Sequence, residues 1–505
     1  MPNSMSNSPT ADAVLEDTLP VTADVIPGMT GATPPRTGPE PTGMALAPPA
    51  AKPARRAELP VTLAPAEVKQ KVVDAIKAIR KGPRSLRMYM DMCVKCGTCA
   101  AVCPVYYGRS EKRYNPAART DIIRRIYNRH ASLAGRVLGR LTGAGDFNPD
   151  DLQSWQEIFY ECTGCRRCAT YCPFGIDHSV VTRKGRAILD QLGMTPTTMA
   201  RVVRISLETG NTDGAGADAF RAAIKFLEEE MEEEHGVPIR IPIDVVGAEY
   251  FYVPPSGDVL VNPEATMGVA KVFHVLGMTD RWTMSSKCFD GANYGLFTGN
   301  DADMKADNRT YVEEAKRLGT KVMLMGECGH AYRIMKMMME KAGWWGKLPF
   351  EITNCLQWTA DRIADGTIEF DTSKNPQPVT YHDPCNFGRS CGITEEPRAI
   401  LKASCADFRE MHPNRSDNWC CGGGGGLSAM DDIKQFRMEI SGRKKLEQIR
   451  ETGAAYVATA CSNCKRQLTQ LMEHHGEPIE VGGVHDMLSR AIIVNGKAAE
   501  RQDYM

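Results

Sequence analysis

The most reactive part of this sequence is a set of five cysteines in its last third. An adjacent pair, Cys420 and Cys421, is followed by five glycines, residues 422–426; Cys385 precedes the pair, and Cys461 and Cys464 follow it. Neighbouring cysteines cannot easily bind one iron in a relaxed geometry, so the pair indicates something other than an ordinary four-thiolate cube. Glycines lack Cβ atoms and let backbone and cofactor approach closely. The alternatives are a disulfide pair or a structural zinc site, which would leave one thiol unused.

The residues around these cysteines resemble the CCG domain of heterodisulfide reductase catalytic subunits. The resemblance rests on the five cysteines, Tyr381-His-Asp-Pro-Cys385, Gly388-Arg389 and Glu396-Pro397-Arg398. It implies that Cys385, Cys420, Cys421, Cys461 and Cys464 hold one noncubane [4Fe-4S] cluster that cleaves a sulfur–sulfur bond. It also implies that Gly422, Gly423 and Arg389 lie against that cofactor.

Eight further cysteines form two copies of the run C-x2-C-x2-C-x3-C-P, at residues 93–104 and 162–173. This run is typical of bacterial ferredoxins, in which the fourth cysteine ligates the other cluster. We therefore expect two [4Fe-4S] cubane clusters, one on Cys93, Cys96, Cys99 and Cys172, the other on Cys162, Cys165, Cys168 and Cys103. A pair of zinc knuckles is the alternative.

Composition favours a metalloprotein in a reducing compartment. The 505 residues carry 18 cysteines and a net charge of −1, which gives no overall attraction to nucleic acid or to anionic lipid. The first twenty residues lack a basic start and an apolar core, and we find no run of 18 apolar residues. We therefore expect a cytoplasmic protein that uses its thiols for metal ligation and not for disulfides.

The chain divides into five predicted segments. Residues 1–63, rich in proline, alanine and threonine, are expected to be a disordered tail. An α-helical ferredoxin domain (64–194) and a helical connector (195–245) precede two α/β halves, 246–370 and 371–495. The predicted fold class is α+β multidomain: an all-α two-cluster ferredoxin-like domain, then a duplicated parallel-sheet CCG domain.

Residues 119–141 are predicted to form one basic amphipathic helix, with apolar residues interspersed among six arginines and a single acid, Asp121. Such a helix is typical of one that lies on a membrane or on a partner protein. An arginine-rich solvated face is an equally good interpretation.

The two α/β halves are interpreted as a tandem duplication in which the first copy has lost its cluster. Short apolar runs at 321–325 and 455–459 each follow a helix and a glycine, and end near Cys328 and Cys461. Cys288 precedes Cys328 at the same spacing that separates Cys421 from Cys461. Two thiols cannot hold the five-thiol cluster, so we expect the metal in the second half. Cys328 and His330 could shape a substrate pocket or supply protons, or could be packing remnants.

A ferredoxin-type region fused to a terminal CCG unit resembles the membrane-linked D-type subunits of heterodisulfide reductase, and within that group the DsrK-type subunits of DsrMKJOP complexes. The resemblance covers about residues 85–490. It implies an oxidoreductase acting on sulfur groups in dissimilatory sulfur metabolism, on the inner face of the cell membrane. The implied partners are a DsrM-like integral-membrane cytochrome b subunit linked to quinone, the other DsrMKJOP subunits, and a DsrC-like protein as disulfide or trisulfide substrate.

Cleaving a sulfur–sulfur bond requires protons as well as two electrons, and His330 and His382 are the candidate donors. Two other functions remain open. One is an electron relay without its own substrate, as in the iron-sulfur subunits of lactate or glycerol-3-phosphate oxidation. The other is a non-enzymatic metal-binding assembly module.

Overall fold

The computed structural model describes residues 63–340 and 343–499. The predicted disordered tail, residues 1–63, therefore lies outside the described residues except for Leu63. Within the described ranges, no helix combines the length and the apolar character needed to cross a bilayer.

The N-terminal region is built entirely from helices. They are α1 (Pro65–Lys77), α2 (Arg84–Met92), α3 (Thr98–Ala101), α4 (Pro104–Arg109), α5 (Pro116–Ala131), α6 (Leu133–Leu138), α7 (Leu152–Tyr160), α8 (Arg167–Thr170) and α9 (His178–Gln191). Helix α1 shows why they form: Pro65 opens it without losing a hydrogen bond, and its apolar stripe is buried against α5. Two longer helices, α10 (Thr197–Thr209) and α11 (Ala217–His235), lead to the first sheet.

Two four-stranded parallel sheets follow. The first half contains β1 (Tyr250–Val253), α12 (Gly257–Leu260), α13 (Glu264–Val275), β2 (Trp282–Thr283), α14 (Gly295–Thr298), α15 (Asp301–Leu318), β3 (Val322–Met325), α16 (Gly329–Tyr332), β4 (Glu351–Asn354) and α17 (Cys355–Ala364). The second half contains β5 (Pro378–Tyr381), α18 (Gly388–Cys391), α19 (Glu395–Ser404), β6 (Asp407–Arg409), α20 (Lys434–Phe436), α21 (Arg443–Thr452), β7 (Tyr456–Ala458), α22 (Ser462–His475), β8 (Glu480–Gly482) and α23 (Val484–Ala491).

The two sheets share one topology. Their strand orders are β2-β1-β3-β4 and β6-β5-β7-β8, and every neighbouring pair is parallel. In the first sheet the chain passes from β1 to β2 on one side and then to β3 on the other side of β1, and the second sheet repeats this order with β5, β6 and β7. Such a change of direction opens a crevice at the carboxyl ends of β1 and β3, and likewise of β5 and β7. The halves meet where Cys328, after β3, forms an antiparallel bridge with Cys461, after β7. The predicted α+β class, with a duplicated α/β unit, is confirmed.

The prediction of one helix over 119–141 is wrong. Helix α5 ends at Ala131, and Ser132 caps a separate α6 by accepting a hydrogen bond from the Gly135 amide. Helix α6 folds back on α5, where Gly135 packs against the Asn128 backbone without room for a Cβ atom. The apolar residues consequently separate: Ile123, Ile126 and Tyr127 are buried, whereas Val137, Leu138 and Leu141 are exposed.

Candidate metal centres

The first set of predicted cluster ligands surrounds one cavity near the protein surface. Cys93, Cys96, Cys99 and Cys172 line it together, and Cys96 is exposed. The loop turns tightly because Lys95 and Gly97 both adopt positive φ, at 57° and 87°. This arrangement brings the fourth cysteine of the second run to the first three cysteines of the first run.

The second set lines a separate, more buried cavity. Its thiols are those of Cys162, Cys165, Cys168 and Cys103. Gly164 and Arg166 take positive φ, at 61° and 62°, the same two places in the motif as in the first copy. Arg119 is buried beside Cys103 and Cys162, and its Nη2 has no hydrogen-bond partner among the described residues. Its Nε donates to the Ile158 carbonyl oxygen. A buried cation with one unsatisfied donor beside these thiols fits an anionic thiolate-ligated cluster.

The five thiols of the second half gather at the carboxyl ends of β5 and β7. Cys385 follows β5, Cys461 follows β7, and Cys464 lies in the first turn of α22. All five are buried, and the Cys420 thiol contacts those of Cys385 and Cys421, while Cys464 contacts Cys421 and Cys461. Hydrogen bonds from Cys420 and Cys464 hold the pKa of Cys421 well below its usual range. The same thiol contacts raise the pKa of Cys420 and Cys464 and lower that of Cys461, so the thiols share protons as one cluster of interacting groups. Metal ligation requires the thiolate form.

His382 is aimed at this set. A ring nitrogen and the Sγ atoms of Cys421 and Cys464 all lie within 4.8 Å of one another. Both ring nitrogens are buried and have no hydrogen-bond partner in the described part of the chain. A buried imidazole that faces thiols fits a site whose remaining groups are supplied by a bound cofactor.

The first half contributes His330 to the same site. The imidazole contacts Cys461, its Nδ1 lies 3.2 Å from the Cys328 Sγ, and its Nε2 accepts a hydrogen bond from the Asn293 amide. Cys328 thus lies beside the five-thiol set. Cys288 does not: it is buried near Ser285 and Glu314, and burial raises the pKa of its thiol.

The glycines after the cysteine pair pack closely against other parts of the protein. A Cβ atom at Gly422 would lie 2.6 Å from the Gly442 nitrogen, and one at Gly423 would lie 2.8 Å from the Gln467 side chain. At Gly424 and Gly425 it would lie 2.5 Å from the Thr163 carbonyl oxygen and 2.6 Å from that of Cys162. Residues 424–425 therefore contact the loop at residues 162–163, where the second set of cubane ligands begins.

Gly424→Ala is expected to destabilise the protein by about 1–3 kcal/mol, because a contact at 2.5 Å forces one of the two loops to move. The matched control is Gly82→Ala, whose Cβ would meet nothing nearer than 3.5 Å. Denaturant unfolding of the two anaerobically purified variants measures the difference. Equal midpoints would show that the glycine loop does not rest on the second motif.

Two buried arginines connect these loops. Arg389 donates to the carbonyl oxygens of Cys165, Ser416 and Asn418. Arg186 donates to those of Cys162 and Gly425, both at 2.7 Å. Both guanidinium groups therefore position ligand loops through backbone carbonyls.

The sequence interpretation missed Arg186 and Lys445. Lys445 is fully buried close to Cys421 and Cys420, and burial lowers its pKa to about 8. A signal existed for Arg186: Val181, Gly185 and Leu189 mark the buried face of α9, and the arginine lies within that stripe. A cation on an apolar helical face indicates a buried partner.

Comparisons with known proteins agree with this layout. Residues 89–176 match the 4Fe-4S dicluster domain family, and residues 379–469 match the cysteine-rich domain family CCG. No solved structure matches the chain. The chain is thus an iron-sulfur protein whose two matched regions contain all thirteen predicted ligands.

Several curated proteins are similar over most of the chain. The Hdr-like menaquinol oxidoreductase iron-sulfur subunit 2 of Archaeoglobus fulgidus is 30% identical, covering 87% of this chain and 86% of the relative. The D-type subunit of the dihydromethanophenazine:CoB–CoM heterodisulfide reductase of Methanosarcina barkeri is 26% identical over 80% of this chain and 94% of its own. The EtfAB:quinone oxidoreductase of Syntrophomonas wolfei is 23% identical over 74% of this chain but 54% of its own. On its thiol sets and these relatives, the chain belongs to the HdrD-like family of heterodisulfide reductase-type iron-sulfur oxidoreductase subunits.

Proposed function

We propose that this chain is the catalytic iron-sulfur subunit of a membrane-bound complex that passes electrons between a quinone-linked haem b subunit and a sulfur–sulfur bond. One observation carries the proposal: the thiol of Cys165 contacts that of Cys420. The second ferredoxin-type set and the five-thiol set are therefore adjacent in space, although 255 positions separate the two cysteines in the numbering.

The three thiol sets form a path from surface to interior. The first set has the exposed Cys96, the second is more buried, and the five-thiol set is wholly buried. The proposed ligands are the eight thiols of two [4Fe-4S] cubanes and the five of one noncubane cluster. We also propose the domain boundaries that the sequence predicts: a ferredoxin domain at 64–194, a helical connector at 195–245, and two α/β halves at 246–370 and 371–495.

Bound iron-sulfur clusters would supply one-electron transfer at potentials set by burial and hydrogen bonding. Reductive cleavage consumes two electrons and two protons, and converts one disulfide into two thiols. The chain's own groups exclude water from the five-thiol site and keep cationic side chains near it, namely Lys445 and Arg389. His382 and His330 contact Cys421 and Cys461, and we propose them as proton donors to the departing sulfur.

The substrate we propose is the disulfide or trisulfide of a DsrC-like protein in dissimilatory sulfur metabolism. The partners we propose are a DsrM-like cytochrome b and the other DsrMKJOP subunits, on the cytoplasmic side of the membrane. Support comes from the sequence resemblance and from two relatives, one named as a menaquinol oxidoreductase subunit and one as a heterodisulfide reductase subunit.

A second candidate function is electron relay without a sulfur substrate. The relative named EtfAB:quinone oxidoreductase favours it. The complete five-thiol set argues against it, because a relay between one-electron carriers requires no special cluster. Iron content tests whether the five-thiol site holds a cluster, and the response to substrate tests whether that cluster acts on sulfur.

We expect anaerobically purified protein to contain about 12 Fe per chain, and about 8 if the five-thiol site holds no iron cluster. Adding a reduced DsrC-like protein to the oxidised enzyme should give a new paramagnetic signal by EPR. The same partner protein with its cysteines replaced by serine is the control. A fully iron-loaded enzyme that gives no signal with any thiol tested would favour the relay.

A further inference from the structure

Helix α6 and the turn after it expose four large apolar side chains. Leu133 is 78% exposed, Val137 75%, Leu138 53% and Leu141 89%. We call these four residues the 133–141 patch. Leu133 and Val137 are four residues apart on α6 and therefore share one face of the helix, and Leu138 and Leu141 follow within the next four residues. Exposed apolar residues grouped in this way are typical of an interaction surface.

The patch lies in a basic stretch around α5 and α6. Residues 122–145 contain five arginines and no acidic residue, although the whole chain has a net charge of −1. The acids that flank this stretch, Asp121 and Asp146, form ion pairs with Arg124 and Arg129. Four of these arginines are exposed: Arg125, Arg129, Arg136 and Arg140. The combination of exposed aliphatic residues and flanking cations is the composition that binds an anionic lipid interface.

The patch is also close to the exposed first thiol set. Arg124, on α5, donates a hydrogen bond to the Cys93 carbonyl at 2.9 Å. Asn128, one turn later, donates to the Thr142 carbonyl directly after the patch. A cavity of about 430 Å³ is lined both by Lys95, between two of the thiols, and by Thr142. The surface where electrons would enter the chain therefore adjoins the patch.

We propose that the 133–141 patch inserts into the anionic headgroup region of a membrane and holds the first thiol set beside it. This inference rests on the proposed function, in which electrons come from a membrane subunit. The aliphatic side chains would enter the interface, and the exposed arginines would pair with lipid phosphates. The protein thus contributes its own membrane contact in addition to any contact with a partner subunit.

Vesicle binding by the full-length holoprotein tests the proposal. We expect it to sediment with vesicles of phosphatidylcholine and phosphatidylglycerol, but weakly with phosphatidylcholine alone, and to be released by high salt. Leu133→Ser/Leu141→Ser should weaken binding by at least about tenfold, because two leucines lose their apolar contact. Arg136→Gln/Arg140→Gln should weaken it by about fivefold per arginine and reduce its dependence on salt.

Matched controls change exposed residues elsewhere. Val246 and Val261 are 67% and 68% exposed, so Val246→Ser/Val261→Ser removes exposed apolar surface from another part of the described chain. Arg204→Gln/Lys225→Gln removes two exposed charges. Both controls should bind vesicles like the wild type.

The proposal is overturned if the wild type does not bind anionic vesicles, or if the leucine variant binds as well as its control. It is also overturned if the patch variants affect only binding to a detergent-solubilised haem b subunit, which would assign the surface to a protein partner. None of these measurements uses a sulfur substrate. Failure here and failure of the proposed function are therefore distinguishable, because iron content and the EPR response report the latter alone.

Discussion

Cys421→Ser is expected to abolish the substrate-induced EPR signal and to reduce iron from about 12 to about 8 per chain. The thiol is buried between those of Cys420 and Cys464, and serine cannot supply an equivalent ligand. Loss of sulfur–sulfur reduction should exceed the roughly 10- to 100-fold effect typical of residues that only support a ligand. Both cubane signals should remain, because their eight thiols line other cavities.

Cys405→Ser is the matched control. Cys405 is also buried in the second half, but its sulfur neighbours the Ser404 hydroxyl and lies outside all three thiol sets. The control should retain iron content, all signals and activity. Loss of both cubane signals in Cys421→Ser would contradict the assignment of ligands, and loss of iron in Cys405→Ser would show that a thiol outside the sets binds metal.

The sequence predicted the fold class and the first three cysteines of each cubane set because these depend on local spacing. The fourth member, Cys172 in one set and Cys103 in the other, comes from the other motif and was assigned from the ferredoxin pattern. A tight turn after a cysteine, or a strand that ends at one, is encoded within a few residues. The same holds for β3 and β7, whose short apolar runs precede Cys328 and Cys461. The break between α5 and α6 was also readable in principle, since Ser132 is a good N-cap, but the apolar period continued across it and favoured one helix.

The contact between Cys165 and Cys420 could not be predicted from spacing. It depends on how the helical region packs against the second sheet, which is decided by many contacts distant in sequence. The glycine run shows where sequence-based prediction stops. Five glycines indicate that another group lies close to the backbone, but not whether that group is a cofactor or another part of the protein. Contact of Gly422, Gly423 and Arg389 with the cofactor stays a prediction. The structure adds that a Cβ atom at either glycine would meet Gly442 or Gln467, and that Arg389 donates to backbone carbonyls.

Arg186→Met is expected to lower the free energy of unfolding by about 2–4 kcal/mol, because hydrogen bonds from a charged group to four buried carbonyls are lost together. The guanidinium is buried and donates to four backbone carbonyls, those of Phe159, Cys162, Phe297 and Gly425. These carbonyls belong to the helical region, the first half and the second half. Methionine occupies much of the volume of the arginine side chain but leaves all four acceptors without this donor. A buried acceptor without a hydrogen bond destabilises the folded state.

Arg204→Met is the control, because that side chain is 69% exposed and approaches Glu208 only at 3.9 Å. Its effect should stay within about 0.5 kcal/mol. Denaturant unfolding of the anaerobic holoproteins compares the two. A second readout separates positioning from bulk stability: if Arg186 holds the Cys162 loop on Gly425, the variant should keep its iron yet develop the substrate-induced signal more slowly. Arg186→Lys retains the charge but not the planar fork. Its free energy of unfolding should lie between those of the wild type and Arg186→Met, because one ammonium cannot reach four carbonyls on three parts of the chain.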